Sequence, residues 1–540
     1  SIHSQLVSQK LHLLVEFKKS NDGGITFTSI SEDNVHADHH VVWVNPNKSG
    51  HLINGNDGGL NISYDDGAHW FKGNSHGVSQ FYAVNVDEQE PYNIYGGMQD
   101  NGVWVGPSNY KFSSEWYQTG KYPYENLIGG DGMQIQIDKR NPNIVFTGFQ
   151  FGNYYRIDRA NNKRDYISPV QKKGEKPFRY NWQTPILLSS HNQEILYMGS
   201  NFLHRSMNQG QTWTAISPDL TQGAKEGNVA FGTIAAISES PLQFGLLYTG
   251  SDDGLVHVSK DGGATWNIIS GNLPQNRWIS RVVASAHKKE RVYVTLNGYR
   301  NDDFTTYVYM SDDFGQTWIN IATNLPTSPV NVLVEDNVNE DVLYLGTDNG
   351  VYVSLNKGSL WNDFSNGIPN VAVHDLVIQK KAKDLVVGTH GRSIYKVNLE
   401  PVQQLNEKVL AENLHVFEIK KIKKSKEWGN NWSSWAKAAE PKAEIWFYSD
   451  SDAEVVIQVE NSLKEVVFSQ KIKAVKGLNN LAYDLSIAKS KADNWKKKDK
   501  KLKLEESKNG KYYLPISINK ISIQKGKENV FTNLEIIESK

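Results

Sequence analysis

The stretch Ser259-Lys-Asp-Gly-Gly-Ala-Thr-Trp266 constrains this chain most, because the chain writes it repeatedly. Ser311 to Trp318 is the nearest copy; Ser20 to Phe27, Ser63 to Trp70 and Ser206 to Trp213 follow the pattern, and Ser354 to Trp361 is a worn version. Each position has a physical use. The third residue (Asp22, Asp65, Asn208, Asp261, Asp313, Asn356) can accept backbone N–H groups within a tight turn, and the glycine supplies positive φ. Thr and the aromatic then open the next strand, with the ring expected to pack beneath its own turn, so Trp266 and Trp318 are expected to be buried. These are structural hairpins rather than reactive sites.

Repetition sets the architecture. The leading serines are 43, 143, 53, 52 and 43 residues apart, near the ~40–50 residues of a propeller blade. The long gap holds about three periods, so two blades without the octapeptide are expected inside it, at 81–105 and 133–157. Strands ending in Gly recur at Leu52–Gly55, Ile94–Gly97, Val145–Gly148, Leu196–Gly199, Leu247–Gly250 and Leu343–Gly346. Short strands, Gly-rich turns and no helical periodicity make the chain all-β. Radial repetition lets such a chain avoid exposed sheet edges. The expectation is a β-propeller of four-stranded blades over 80–398, seven to the ring, with a ten-bladed ring completed by another chain as the alternative.

Charge marks a boundary near residue 400. Residues 401–540 hold 26 Lys+Arg against 19 Asp+Glu, while 1–400 hold 32 against 40. The net charge of −1 gives no global field favouring nucleic acid, and without cysteine the chain has neither disulfides nor thiolate metal sites. No apolar run is long enough to span a bilayer. Residues 1–79 read as a partial blade and one full blade, possible members of a neighbouring ring. The half-blade around Ser20–Phe27 implies an open edge paired with an upstream half of the protein or a partner chain. Residues 399–440 read as a linker whose Trp428, Trp432 and Trp435 dock on the last blade. Residues 441–540 read as a small Ig-like β-sandwich, with Lys496–Lys503 as a solvated hairpin tip.

Strand order supplies a site. In a four-stranded meander the start of the innermost strand and the turn between the second and third strands share one face of the disc. The octapeptides lie on the other. The first face gathers His40, Tyr82, Trp182, Thr184, Trp278, Arg281, Asn331, His374 and His390 as candidate ligand contacts. It also carries acidic residues, of which Asp57 and Asp131 are the candidate catalytic pair should the chain be an enzyme. His36, Asp38 and His40 would share one side of an extended strand, a donor set suited to zinc, although a hydrogen-bonded strand start is favoured over a metal. No cofactor is expected.

The repeats, with His36-Ala-Asp38-His-His40 and Gly55-Asn-Asp57-Gly-Gly59, resemble the Asp-box or BNR-repeat propellers over residues 11–398. These include bacterial proteins labelled glycosyl hydrolases and sortilin-like (vacuolar sorting) receptors. The resemblance implies export to the periplasm, the cell surface or the medium. It does not imply a sialidase, because Phe178-Arg-Tyr-Asn181 departs from the Phe/Tyr-Arg-Ile-Pro motif in its last two positions. Fold does not determine chemistry. The functional expectation is a non-catalytic propeller binding a protein, peptide or glycan within a larger assembly; an endo-acting glycoside hydrolase with paired Asp residues is the alternative.

Overall fold

The computed structural model describes residues 10–12 (backbone), 16–31, 35–73, 77–110, 123–227, 229–431, 433 and 437–539; Trp432 and Trp435 lie outside them. The chain forms two compact units, 1–398 and 399–540. Among the described residues no helix is long and apolar enough to cross a membrane.

The first unit is a β-propeller of antiparallel meanders. Sheet 1 (10–29) has three strands and sheet 2 (39–72) has four. Seven sheets follow: sheet 3 (81–128), sheet 4 (136–166), sheet 5 (186–215), sheet 6 (234–268), sheet 7 (278–320), sheet 8 (330–363) and the three-stranded sheet 9 (373–398). The two ends of this series meet. Gly391 and Ser393 donate their N–H groups to the Ser79 carbonyl, and Gln80 bridges to His390. Tyr92 donates to Asp384 at 2.9 Å, and Val84, Phe81 and Val386 share one apolar cluster.

An innermost strand has a free edge, and side chains from neighbouring inner strands satisfy it. Val84 N–H donates to Asp375 (2.9 Å), Ile186 N–H to Gln134 (3.2 Å), Leu188 N–H to Gln136 (3.3 Å) and Ala284 N–H to Ser238 (3.0 Å). Polar residues thus line the channel without leaving these backbone donors unpaired.

The octapeptide turns are built alike. In Ser259–Trp266, Gly263 N–H donates to Ser259 Oγ (2.9 Å), and Ser259 Oγ donates to Asp261 (2.9 Å). Thr265 donates its N–H to Asp261 at 2.9 Å and its hydroxyl at 2.6 Å. The same bonds recur around Asp22 and Asp313. His69 replaces Thr at Asp65; Asn208 and Asn356 also accept the turn N–H, at 2.9 and 2.8 Å. These turns bond to the loop between the first and second strands, as in Gly262 N–H to the Gly245 carbonyl, so they lie away from the inner-strand starts.

The aromatic of the turn does not pack as expected. Trp266 and Trp318 are only half-buried and reach to the preceding sheet. Trp70, Trp266, Trp318 and Trp361 donate indole N–H groups to the carbonyls of Ile30, Ile216, Ile269 and Ile321, at 2.6, 2.9, 2.7 and 2.6 Å, and Trp213 does so to Ile167. The turn glycine meets the same isoleucine: a Cβ on Gly358 would stand 2.7 Å from Ile321 Cβ. Each octapeptide is therefore a staple between sheets as well as a hairpin.

The second unit differs from expectation at both ends of the comparison. Residues 399–440, expected as a linker, supply strands Leu414–Val416 and Ile422–Lys423, which pair with Ala443–Ser449 and Glu528–Ile537. A three-stranded and a five-stranded sheet share one core containing Phe447, Ile457, Ile521 and Leu534. The basic run is no hairpin tip. Its first half ends the helix Lys489–Lys498, whose Ala492 and Trp495 are buried in that core, so these charges cap the last turn of an anchored helix.

Candidate functional site

The mouth at the inner-strand starts gathers side chains from five sheets. Tyr82, on the first strand of sheet 3, stacks near His374 and His390 of sheet 9, with centroids 6.4 and 5.4 Å away. The two imidazoles lie parallel, 4.4 Å apart. Burial holds His374 well below the usual histidine range, at about 3, helped by His390, Arg281 and Arg300. Burial also lowers His390. Both rings are neutral at physiological pH, which lets them stack without repulsion.

Arg281 of sheet 7 reaches Asp375 of sheet 9 at 2.9 Å and the His374 carbonyl at 3.3 Å. This ion pair lies on a cavity of about 170 Å³ along the inner strands, with Asn85, Gln134 and Gln136 on its wall. Trp278 lies under the Arg300 guanidinium at 4.3 Å, and Tyr299 contacts the same cation at 4.9 Å. Asn331 bridges Asn297 (2.9 Å) and Asp348 (2.8 Å).

Trp182 is 40% exposed and meets the 45%-exposed Phe151 edge to face at 5.1 Å. Its position comes from Asn181, whose side chain donates to Asp252 (2.8 Å) and Thr233 (3.1 Å) of sheet 6 while accepting the Trp182 N–H at 2.7 Å. Thr184 does not join the mouth. It is buried, donating to the Asn181 carbonyl and accepting Tyr154 through its own carbonyl.

An acidic group flanks Tyr82. Asp100 N–H donates to Asp131 at 2.7 Å, and Asp131 N–H donates to Gln150 at 3.1 Å. Burial, then the charges of Asp131 and Asp57 and a hydrogen bond with Asp57, push the Asp100 carboxyl up to about 6. Burial and Asp131 push the Tyr82 hydroxyl up to about 12; it donates to Gln99 at 3.0 Å. Sheet 2 completes this group: His40 Nε2 lies 2.6 Å from Asp57, His36 Nε2 lies 3.1 Å from the Asp100 carbonyl, and Asn101 donates to the Asp57 carbonyl at 3.0 Å.

His36, Asp38 and His40 do not share a strand face. The strand begins at His39 and Asp38 is left-handed, with φ +57°, which breaks the alternation the expectation required. Among the described residues no group of three His, Asp or Glu is placed to hold a metal ion.

Of the candidate contacts, Tyr82, Trp182, Trp278, Arg281, Asn331, His374 and His390 converge on the mouth, while His40 belongs to its acidic side. Sequence reasoning passed over Tyr299 and Arg300. The available signal was the length of the connection between strands Val292–Asn297 and Tyr307–Ser311, against the Thr347–Gly350 turn of sheet 8. A larger cavity of about 440 Å³ opens among the opposite loops, at Asp87, Asp138, Gln193 and Lys381. Its acids are occupied: Asp87 accepts Asn93 and Tyr95, and Asp138 accepts Arg140 and Gln209.

Comparison with known proteins bears on fold. Residues 183–395, spanning most of sheets 5 to 9, match a family profile described as the DUF6242 beta propeller domain. No curated protein matches the sequence. Solved structures similar to it include the GH74 xyloglucanase from Xanthomonas campestris, at 15% identity and TM-score 0.46, covering 60% of this chain and 52% of that one. An extracellular domain assigned to a hybrid two-component system of B. thetaiotaomicron is 10% identical at TM-score 0.43, covering 98% and 67%. YCF48 from Cyanidioschyzon merolae is 9% identical at TM-score 0.41, covering 59% and 94%. This chain thus spans about half the length of the xyloglucanase, and likenesses this distant carry no argument about what it binds. Over residues 183–395 the chain is similar to the DUF6242 beta propeller domain.

Proposed function

We propose that the first unit binds a polar ligand, a glycan or a peptide, at the mouth between Trp182 and His390, without transforming it. One observation carries the reading: Tyr82, Trp182, Trp278 and the two stacked histidines, drawn from distant parts of the sequence, meet there beside Arg300. Aromatic faces give contact area, while Asn331, Gln99 and the acids give directional hydrogen bonds. The reading includes an exported location, which rests on the resemblance of the repeats to exported Asp-box proteins.

A hydrolytic reading has one observation of its own, the Asp100 carboxyl held near 6 beside Asp57 and Asp131. A carboxylic acid protonated near neutrality suits a general acid. Yet Asp57 and Asp100 are within hydrogen-bonding reach of each other, whereas carboxylates flanking a glycosidic bond stand roughly 5 Å or more apart. Asp131 is buried on the Asp100 backbone. The acids support one another more than they face an open space.

The test is a glycan and peptide array probed with the purified chain, followed by calorimetry on the best ligand. Trp182→Ala with Trp278→Ala should abolish retention while the thermal transition survives. Cleavage of a polysaccharide by the purified chain, lost in Asp100→Asn, would replace binding with hydrolysis.

A further inference from the structure

Sheet 2 has two faces, and among the described residues only one is covered. Leu52 and Trp70, with Val42 and Val44, pack on Phe17 of sheet 1. Strand pairing places Trp43, Ile53, Ile62 and Phe71 in a row across the other face, with Val41 and Leu60 beside them. Val41, Trp43 and Phe71 are 59%, 46% and 57% exposed, and Ile53, Leu60 and Ile62 are partly exposed.

The same positions in the following sheets behave differently. Ile53 stands two residues before the strand-closing Gly55, where sheets 3 to 8 carry Tyr95, Phe146, Tyr197, Tyr248, Tyr293 and Tyr344, all fully buried. Leu60 pairs with Gly55 as Val256 pairs with Gly250 and Val351 with Gly346, and both valines are fully buried. In sheet 6 the covering surface is the next sheet: Tyr248, Val256 and Val258 share a cluster with Ile279, Val282 and Ala284 of sheet 7. Sheet 2 presents this sheet-receiving surface with nothing on it among the described residues. Sheet 3, next in the chain, lays Phe81 and Val84 against Val386 of sheet 9 instead.

We infer that the Val41–Trp43–Ile53–Ile62–Phe71 face is a blade-to-blade interface that receives a propeller sheet from outside residues 1–540. The surface continues the stacking already formed between sheets 1 and 2, in the register that packs sheets 3 to 8. A second copy of this chain is a poor occupant, because sheets 3 to 9 already use their matching faces on one another. Gly73 stands where Ile30, Ile216 and Ile269 accept the indole, and its N–H bonds Leu60 as theirs bond Phe17, Leu203 and Val256. Sheet 1 and sheet 2 are on this account two blades of a second ring. An apolar patch of this breadth has a partner in most proteins.

The test is a photo-reactive benzophenone side chain at Phe71 (Phe71→p-benzoylphenylalanine) in the protein expressed in its own cells, with mass spectrometry of the cross-linked peptide. The expected peptide lies outside residues 1–540 and carries a strand of the Leu-Tyr-x-Gly kind seen at 196–199 and 247–250. Adding Ile62→Asp should lower the yield at least tenfold, while the melting transitions of both units stay in place. A peptide from within residues 1–540, a peptide without that strand pattern, no cross-link, or a yield unmoved by Ile62→Asp each overturns the inference.

Discussion

Trp361 tests whether the octapeptide is a staple between sheets. Its side chain is 3% exposed, its indole N–H reaches the Ile321 carbonyl at 2.6 Å, and its backbone N–H reaches Asn324 at 2.8 Å. Trp361→Ala removes the buried ring and leaves a cavity between sheets 7 and 8, a change that costs about 3–5 kcal/mol. Trp361→Phe keeps most of the apolar area and loses the donor. An unsatisfied buried carbonyl costs about 1–3 kcal/mol, so this variant should fall between the wild type and Trp361→Ala. Gly358→Ala reports on the same contact from the other side. Its φ is +85° and its new Cβ would meet Ile321 Cβ at 2.7 Å, an overlap with a branched atom that cannot swing away; overpacking of this kind costs about 1–3 kcal/mol. Urea unfolding of the first unit, followed by near-UV circular dichroism, gives the three values. Ligand affinity should be unchanged in each folded variant, because the octapeptides lie on the opposite loops. The staple reasoning is refuted if Trp361→Ala costs under about 1 kcal/mol, well below the cavity range, or if Trp361→Phe costs as much as Trp361→Ala.

The remaining predictions concern the mouth and pH. His374, His204 and His257 are held by burial at about 3, 4 and 4; they stay neutral when folded and charge when unfolded, so this stability is present above pH ~6.5 and lost as pH falls toward these values. His204→Gln should flatten the acid limb of a melting-temperature profile. Asp100 acts in the opposite sense: its raised carboxyl favours the folded state most at low pH, and that contribution disappears as pH rises through about 6. Asp100→Asn should therefore melt higher than wild type at pH 8 and not at pH 4. Arg281→Met leaves Asp375 without its guanidinium and should cost about 1–3 kcal/mol, between the values for exposed and fully buried pairs, measured by urea unfolding.

Much of the architecture was legible because it is written locally and repeatedly. Serine, Asp, Gly and Thr within eight residues make their own hydrogen bonds, so the turn exists wherever they recur, and strands ending in Gly mark the period between turns. The side of each turn follows from strand order alone, which is why Tyr82, His374 and His390, whose rings lie together, could be expected on one side of the disc from sequence. Tertiary structure decided what depends on neighbours. Trp266 and Trp318 serve the preceding sheet, since the carbonyl they reach lies 50 and 49 residues away. Thr184 lies two residues before its strand and donates into a buried hydrogen bond, and Asp100 owes its raised carboxyl first to burial and then to Asp131 and Asp57, each more than 30 residues distant. In the second unit, Trp495 inside a run of lysines anchored a helix where charge alone suggested a solvated tip. Hydrogen bonds within a turn are set by adjacent residues, whereas burial and protonation are set by whatever the folded chain brings alongside.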